Sequence, residues 1–414
     1  MQLKQVKNFN QWIFLTYRYW IGLKRQSTSM MWLNPIILLI LSLLGIAFMY
    51  AIQNGNVTHL KWKSQIIWLC LGCSVYYITA NFNYKIFLQN AHWLYVLSIL
   101  CLLLLWTPLG QTLGGSRRWL NICGLGIQPS DLSKIATLLF VASLLTRTQM
   151  SSFVESLHTL VKIAVISGLS FFLIFIQPDL GSAMVLPFII FSLLFVSKLS
   201  LRFFIVILGV SLLGLAVIAL DTYAYYQQIK ADKSSAHFCI KPFLPLRDYQ
   251  RKRILAFAIP TSIDPNGVHI GWHLKQSLIA IGSGGILGKG WTKNTQAQLG
   301  YLPKAASLND FIFSVLAEET GLIGSLCVLI LYMILILNTF RIAILAKDRF
   351  GCYLSVGVAI LLLTHVWINI GMTLGIMPIT GLPLPFLSYG GSFMLVCFFS
   401  QGLVQSVYRF RFAE

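Results

Sequence analysis

The chain has 414 residues, 57% of them hydrophobic and only 10% charged, with a formal net charge of +19. A soluble protein of this length would carry about 25% charged residues, so the composition excludes a soluble globular domain. It predicts an all-α integral membrane protein. The positive excess suits an anionic membrane leaflet or a phosphate-bearing substrate. Nucleic acid is excluded as a partner, because the basic residues are split between the two ends of the apolar segments.

Residues 1–30 lack an apolar core and a small-residue cleavage site, so they are not a cleavable signal peptide. Trp12, Phe14 and Trp20, set among Lys and Arg, predict an amphipathic helix lying on the cytoplasmic membrane surface. The remainder, 31–414, is expected to form one membrane domain. Its apolar stretches fall near 33–52, 64–81, 92–107, 131–146, 161–177, 182–197, 203–220, 311–338, 351–375 and 386–408. Each approaches the length that crosses roughly 30 Å of hydrocarbon, so about ten transmembrane helices are expected. Lys85, Arg147, Arg202, Arg341, Lys347, Arg349 and Arg409 crowd one set of short connections, and the other set holds only Lys61, Lys63, Arg117 and Arg118. The richer side is cytoplasmic by the positive-inside rule. Both termini then lie inside, and the long segment 221–310 is an extracytoplasmic loop.

Between the second and fourth stretches little chemistry stands out. Cys70-x-x-Cys73 lies inside an apolar run and reads as packing rather than a redox pair, and the seven histidines form no metal-binding spacing. The next exterior segment holds Gly115-Ser116-Arg117-Arg118-Trp119. Two adjacent guanidinium groups suit a pyrophosphate and Trp119 a sugar face; snorkelling arginines beside an interfacial tryptophan explain the same residues. Gln128-Pro129-Ser130-Asp131 opens the fourth stretch, with Lys134 three residues on and on the same helix face. An Asp–Lys pair entering a membrane helix faces the bundle, as structural glue or as the lining of a substrate cleft. Gln177-Pro178-Asp179-Leu180-Gly181 breaks the fifth and sixth stretches, and Asp179 also suits a helix N-cap.

The exterior segment turns basic at Arg247-Asp248-Tyr249-Gln250-Arg251-Lys252-Arg253. Residues 268–281, which include Gln276, predict an interfacial or re-entrant helix. The glycine-rich run Ile281 to Trp291 offers converging backbone N–H groups and Lys289 to an anion, or a plain flexible turn. Asp310 then stands at the mouth of the eighth stretch, either a functional carboxylate or an N-cap. Asp310, Ser314, Ala317, Glu318, Gly321 and Ser325 fall on one helical stripe, and Glu318 requires a partner at its depth. Finally, Met377 to Ser392 carries three prolines and several glycines at a membrane boundary. Such broken backbone is tolerated only against protein or a wet cavity.

Arg117-Arg118-Trp119, Gln128-Pro129-Ser130-Asp131, Gln177-Pro178-Asp179-Leu180-Gly181, Asp248-Tyr249-Gln250-Arg251, Ile281-Gly282-Ser283-Gly284-Gly285, Asp310-Phe311-Ile312-Phe313 and Pro383 to Ser392 together resemble the SEDS family of membrane peptidoglycan polymerases. The strings occur in the family's order over about 115–392. Thr380 to Pro385 and Gly290 to Gln298 look more like the elongation branch than the division branch. The sequence departs from the family in having Asp131 where Glu is usual, and Ser307-Leu308-Asn309 where His-Thr commonly precedes the aspartate.

The resemblance implies an inverting glycosyltransferase that polymerises lipid II during cell elongation, with Asp310 as the catalytic residue. It also implies a class B penicillin-binding protein as the cross-linking partner. Arg117, Arg118, Trp119, Asp131, Lys134, Asp179, Gln276, Lys289, Glu318 and Ser388 are the substrate-binding candidates. A divalent cation such as Mg²⁺, held by Asp131, Asp179 or Glu318, would share the leaving-group charge; no organic cofactor is expected. A lipid II flippase and a non-catalytic scaffold for a transpeptidase are the alternatives.

Overall fold

The computed structural model describes residues 30–53, 60–113, 116–122, 125–148, 153–177, 179–197, 199, 201–234, 244, 248–259 and 271–412. The amphipathic helix expected within 1–30 lies outside the described residues, as do Gly115, Cys123, Pro178, Cys239 and Arg247. A helix falls on each of the ten apolar stretches: α1 (Leu33–Gln53), α2 (Lys61–Asn81), α3 (Lys85–Leu104), α4 (Pro129–Arg147), α5 (Phe153–Ile176), α6 (Leu180–Val196), α7 (Leu201–Ser234), α12 (Ile312–Leu345), α13 (Arg349–Thr373) and α14 (Gly391–Arg409). Between α7 and α12 come α8 (Asp248–Ala258), α9 (Trp272–Gly284), α10 (Thr295–Gln298) and α11 (Lys304–Leu308). Among the described residues, six helices are long and apolar enough to cross a membrane: α1, α3, α5, most of α7, α12 and α13. The chain is a multi-pass membrane protein.

Local chemistry sets several ends. Pro129 occupies the first turn of α4, where its missing N–H costs nothing. Asp179 caps α6 by accepting from Ser182 N at 3.3 Å, and Asp348 caps α13 by accepting from Gly351 N at 2.8 Å. The centre of the bundle is α13, which packs on α4, α6, α12 and α14. Its apolar window is 83% buried, whereas that of α7 is 0% buried and faces hydrocarbon.

Two expectations change. The segment holding Arg117–Trp119 is a sheet, not a loop. β1 (Gly110–Leu113), β2 (Ser116–Ile122) and β3 (Leu125–Ile127) form an antiparallel meander in the order β1-β2-β3. Its strands are too short and polar to show as periodicity beside 20-residue apolar runs. The start of the exterior segment is helical, because α7 continues in polar residues to Ser234. Asp221, fully buried in it, accepts from Leu244 N at 2.7 Å and pairs with Arg251 Nε of α8 at 2.9 Å.

The stripe expected on α12 is interrupted at Gly321 (φ 67°, ψ −161°). A Cβ there would meet Gly288 N at 2.4 Å, and a Cβ at Gly288 (φ +81°) would meet Glu319 O at 2.2 Å. Two glycines in the left-handed region let the glycine-rich turn close directly onto the helix backbone. Lys289 N and Gly290 N donate to the carbonyls of Glu318 and Glu319, and Gly288 N donates to Gly284 O. The converging N–H groups therefore tie backbone to backbone and are not free for an anion.

Candidate active site

Asp310 lies in the link between α11 and α12. It is not the N-cap of α12, a place taken by Phe311 without side-chain capping. Its position is set from behind. Asn369 Nδ2 of α13 donates to Asp310 O at 2.9 Å and to Leu382 O at 2.7 Å. Ser388 Oγ donates to Asn309 O at 2.5 Å and accepts from Leu384 N at 2.8 Å, while Tyr389 N donates to Leu308 O at 2.9 Å. The broken segment expected around 377–392 thus forms the wall behind Asp310. His365 Nδ1 lies 3.3 Å from Pro383 O, Gln65 Nε2 donates to Ser388 O at 3.3 Å, and the Tyr332 hydroxyl donates to Pro385 O. These bonds hold buried Phe386 at φ 67°, a conformation that a side chain other than Gly adopts only when its surroundings enforce it. Gly381 (φ +77°) closes the wall, and a Cβ there would lie 3.4 Å from Asp310 Oδ2.

Burial pushes the Asp310 carboxyl up, to about 6. Arg253 pulls it down, Asp179 raises it further, and Arg118 again lowers it. These three charges come from α8, the start of α6 and β2. Arg253 Nη1 donates to Ile379 O at 3.2 Å, which fixes it to the same wall. Arg118 Nε donates to Gln177 O at 3.2 Å, and its Nη1 lies 3.8 Å from Asp179 Oδ1. Asp179 also accepts from Gln128 Nε2 at 2.9 Å and Ser130 Oγ at 3.4 Å. A carboxylate at a helix mouth that feels two guanidinium charges can take a proton from a hydroxyl while an anion sits on the arginines.

The other candidates divide. A bulge interrupts β2 at Arg118, between Arg117 opposite Thr112 and Trp119 opposite Gln111, and the two arginines bond to different groups, so they do not form a clamp. Arg117 instead ties its own hairpin, donating to Gly110 O at 3.1 Å and Thr107 O at 2.5 Å. Trp119, opposite Gln111 of β1, lies over Gly126 of β3. Lys134 is buried, 2.8 Å from Asp131 Oδ1 and 3.2 Å from His365 Nε2. The pair is structural glue behind the wall, since His365 carries the wall at Pro383. Lys289 spends its charge on Glu318 Oε1 at 2.6 Å. Glu318 Oε1 also accepts from Thr295 N at 2.9 Å and Thr295 Oγ1 at 2.6 Å, and its Oε2 accepts from Gln296 N at 3.4 Å. Those bonds fill its acceptor sites and staple the segment around α10 to α12. Glu319 accepts from Asn294. Gln276 is buried on α9, beside Ser277, whose Oγ lies 2.6 Å from Ser314 Oγ. Ser388 holds the wall.

Each of the three proposed cation ligands has another partner, although Asp131 Oδ2 itself has none. Asp131 is against Lys134, Asp179 caps a helix, and Glu318 is bonded to Lys289. Among the described residues, no three His, Cys, Asp or Glu side chains gather as a metal site. The residues present do not make a protein cage for a divalent cation.

Arg253 and Asn369 were missed in the sequence. Arg251 and Arg253 are two apart in a helix, hence about 200° apart around it; one turns in to Asp221, leaving the other for Ile379. His365 and Asn369 share one face of α13 at i, i+4, and a polar pair inside an apolar helix was a usable signal.

Residues 27–412 match the FtsW/RodA/SpoVE family of cell cycle proteins. The chain is 35% identical over 387 residues to the peptidoglycan glycosyltransferase MrdB of Escherichia coli strain K12, covering 92% of this chain and 94% of that one. It is 32% identical over 422 residues to the peptidoglycan glycosyltransferase RodA of Treponema pallidum strain Nichols, covering 89% and 95%. Among solved structures, a chain from a peptidoglycan synthase complex that coordinates polymerization and crosslinking superposes with a TM-score of 0.71 at 26% identity, over 93% of this chain and 99% of that chain. The rod shape determining protein RodA of Thermus thermophilus superposes with a TM-score of 0.64 at 25% identity, over the same shares.

Proposed function

This chain belongs to the FtsW/RodA/SpoVE family of cell cycle proteins, and on that premise we propose that it is a peptidoglycan glycosyltransferase that polymerises lipid II at the outer face of the bacterial cytoplasmic membrane. The observation that carries the reading is the Asp310 carboxyl at the mouth of α12, raised by burial to about 6 and lowered in turn by the charges of Arg253 and Arg118. The relatives' names support the reaction class. The ten helices, taken as ten crossings with both termini cytoplasmic, put Asp310 on the outer side by the Lys/Arg asymmetry.

In the proposed step the 4-hydroxyl oxygen of an acceptor N-acetylglucosamine attacks C1 of a donor N-acetylmuramic acid. The bond from C1 to the pyrophosphate oxygen breaks, and undecaprenyl pyrophosphate leaves with that electron pair. The acceptor hydroxyl proton passes to the Asp310 carboxylate. An α-linked donor and a β-1,4 product require one inversion, so one base and one leaving-group stabiliser suffice. At neutral pH a carboxyl with a pKa of about 6 is mostly ionised yet more basic than an exposed aspartate. Arg118 and Arg253 are the groups placed to take the pyrophosphate charge. No step is assigned to a metal ion, because no three candidate ligands gather among the described residues.

The cross-linking partner is proposed to be a class B penicillin-binding protein, supported by the similarity to a chain of a synthase complex. A flippase is disfavoured by the interior ion pair of Asp131 and Lys134 on α4, which closes on itself and on His365 of α13 rather than lining a path. Purified protein with such a partner is expected to convert labelled lipid II into glycan strands resolved by gel. Failure with a partner active alongside another polymerase would favour the scaffold.

Asn369→Leu removes both straps on Asp310 and Leu382 while keeping an apolar shape. The expected result is a fall of about 10–100-fold in kcat, since small misplacements of a reacting group carry costs of that size. KM for lipid II is expected to stay within about threefold, because the bonds removed go to the carbonyls of Asp310 and Leu382. Steady-state strand synthesis measures both.

A further inference from the structure

A cavity of about 370 Å³ opens at the opposite end of the bundle from Asp310. The course of α4 sets this separation. Its first residues flank Asp179, and its last is Arg147, so 19 residues carry it about 28 Å away. The cavity lies between α3, α4 and α5. Phe140 and Leu144 line it inside, Ser143 sits between them, and His92, Arg147 and Lys162 also line it.

Those three basic side chains occupy comparable levels on three different helices. His92 opens the apolar run of α3, Arg147 closes that of α4, and Lys162 precedes the apolar run Ile163 to Ile176 of α5. Each therefore marks the membrane–water boundary. Phe140 lies seven residues inward from Arg147, so the apolar lining reaches about 10 Å below the basic residues. Around the cavity, Trp93, Leu97, Val161 and Val165 are exposed. In a membrane protein that surface meets acyl chains, so the cavity borders the bilayer.

The local bonding leaves donors at the mouth. Arg147 Nη2 donates to Leu88 O at 2.7 Å, and Ser143 Oγ donates to the same carbonyl at 3.0 Å. That bond orients the guanidinium, which has five N–H donors in all. Lys162 forms no ion pair among the described residues. No acidic side chain lines the cavity.

We propose that this cavity is a binding site for an anionic glycerophospholipid of the cytoplasmic leaflet, with the headgroup phosphate between Arg147 and Lys162 and an acyl chain along Phe140 and Leu144. The occupant follows from charge complementarity at a fixed depth. Two cations stand at the level of the phosphates, a hydrocarbon-lined floor lies below, and the opening faces the bilayer. Basic pockets between helices on this side suit such headgroups. A water-soluble anion would satisfy the cations but leave the apolar floor wet. A lipid satisfies both.

The test is native mass spectrometry of the full chain, released from mixed micelles of phosphatidylglycerol and phosphatidylethanolamine. The wild type is expected to retain phosphatidylglycerol preferentially. The variant R147Q/K162Q is expected to lose about 30-fold of that preference, the factor two basic residues supply beside an anionic group. R202Q/R341Q, which removes two charges from the same end outside the cavity, is expected to keep it. Leu144→Trp fills the cavity with its charges intact and is expected to lose retention, which separates the site from general surface charge. Thermal melting of each variant confirms that it is folded. Equal losses in both double variants, or full retention by Leu144→Trp, would overturn the proposal. Displacement of the lipid by equimolar glycerol phosphate would overturn it too, by assigning the site to a soluble phosphate.

Discussion

Asp310→Asn is expected to lower the rate of glycan polymerisation by about 10²–10⁴-fold, the range that a positioned general base contributes. Asparagine matches the carboxylate in size, and the backbone bond from Asn369 Nδ2 to residue 310 does not involve the side chain. The wall from Ile379 to Tyr389 should stay in place. The amide cannot accept the acceptor proton at any working pH, so the loss belongs to chemistry. Thermal stability is expected to stay level or rise slightly, because a half-buried carboxyl that burial disfavours has been replaced by a neutral group. Strand synthesis measured beside a melting curve separates the two effects. A variant that keeps most of its rate would remove Asp310 from the chemistry.

Lys134→Met is expected to destabilise the protein by about 3–5 kcal/mol, the usual effect of removing one partner of a buried ion pair. Lys134 and Asp131 are almost completely buried, and Asp131 Oδ2 has no hydrogen-bond partner, so the carboxylate depends on the ammonium 2.8 Å from its other oxygen. Without Lys134 a charge is left uncompensated in the bundle. The double variant Asp131→Leu with Lys134→Met removes both charges and is expected to recover most of the stability. Its activity should recover less, because Lys134 also bonds His365, which supports Pro383 behind Asp310. Unfolding of both variants in one detergent, with polymerisation assayed on each, tests this. If the double variant were as unstable as the single one, the pair would matter for packing volume and not for charge.

The helices were readable in the sequence because each contributes a long apolar run, a signal that survives errors of several residues at its ends. Asp310 stood out as a candidate because a carboxylate is conspicuous in so apolar a chain. Partner choice was not readable. Lys289 lies in a glycine-rich run and invites a phosphate, yet it closes on Glu318, 29 residues away, because two left-handed glycines bring the turn onto α12. Arg117 and Arg118 look equivalent until the first closes on the carbonyls of its own hairpin and the second on Gln177 and Asp179. Arg253 gains its meaning only when Arg251 two residues earlier is anchored inward by Asp221. In each case the residue type was visible and the competing partner was remote in sequence.

The rate of strand synthesis against pH, in the wild type and in Arg253→Gln, tests the role of Asp310 most directly. The carboxylate is the active form, so the rate should fall as pH drops through about 6 in the wild type. Arg253 pulls that pKa down, so its removal should move the acid limb to higher pH, while the rate above the limb also falls through loss of a pyrophosphate ligand. An acid limb unmoved by Arg253→Gln, or a rate undiminished at pH 5, would contradict an ionised Asp310 as the base.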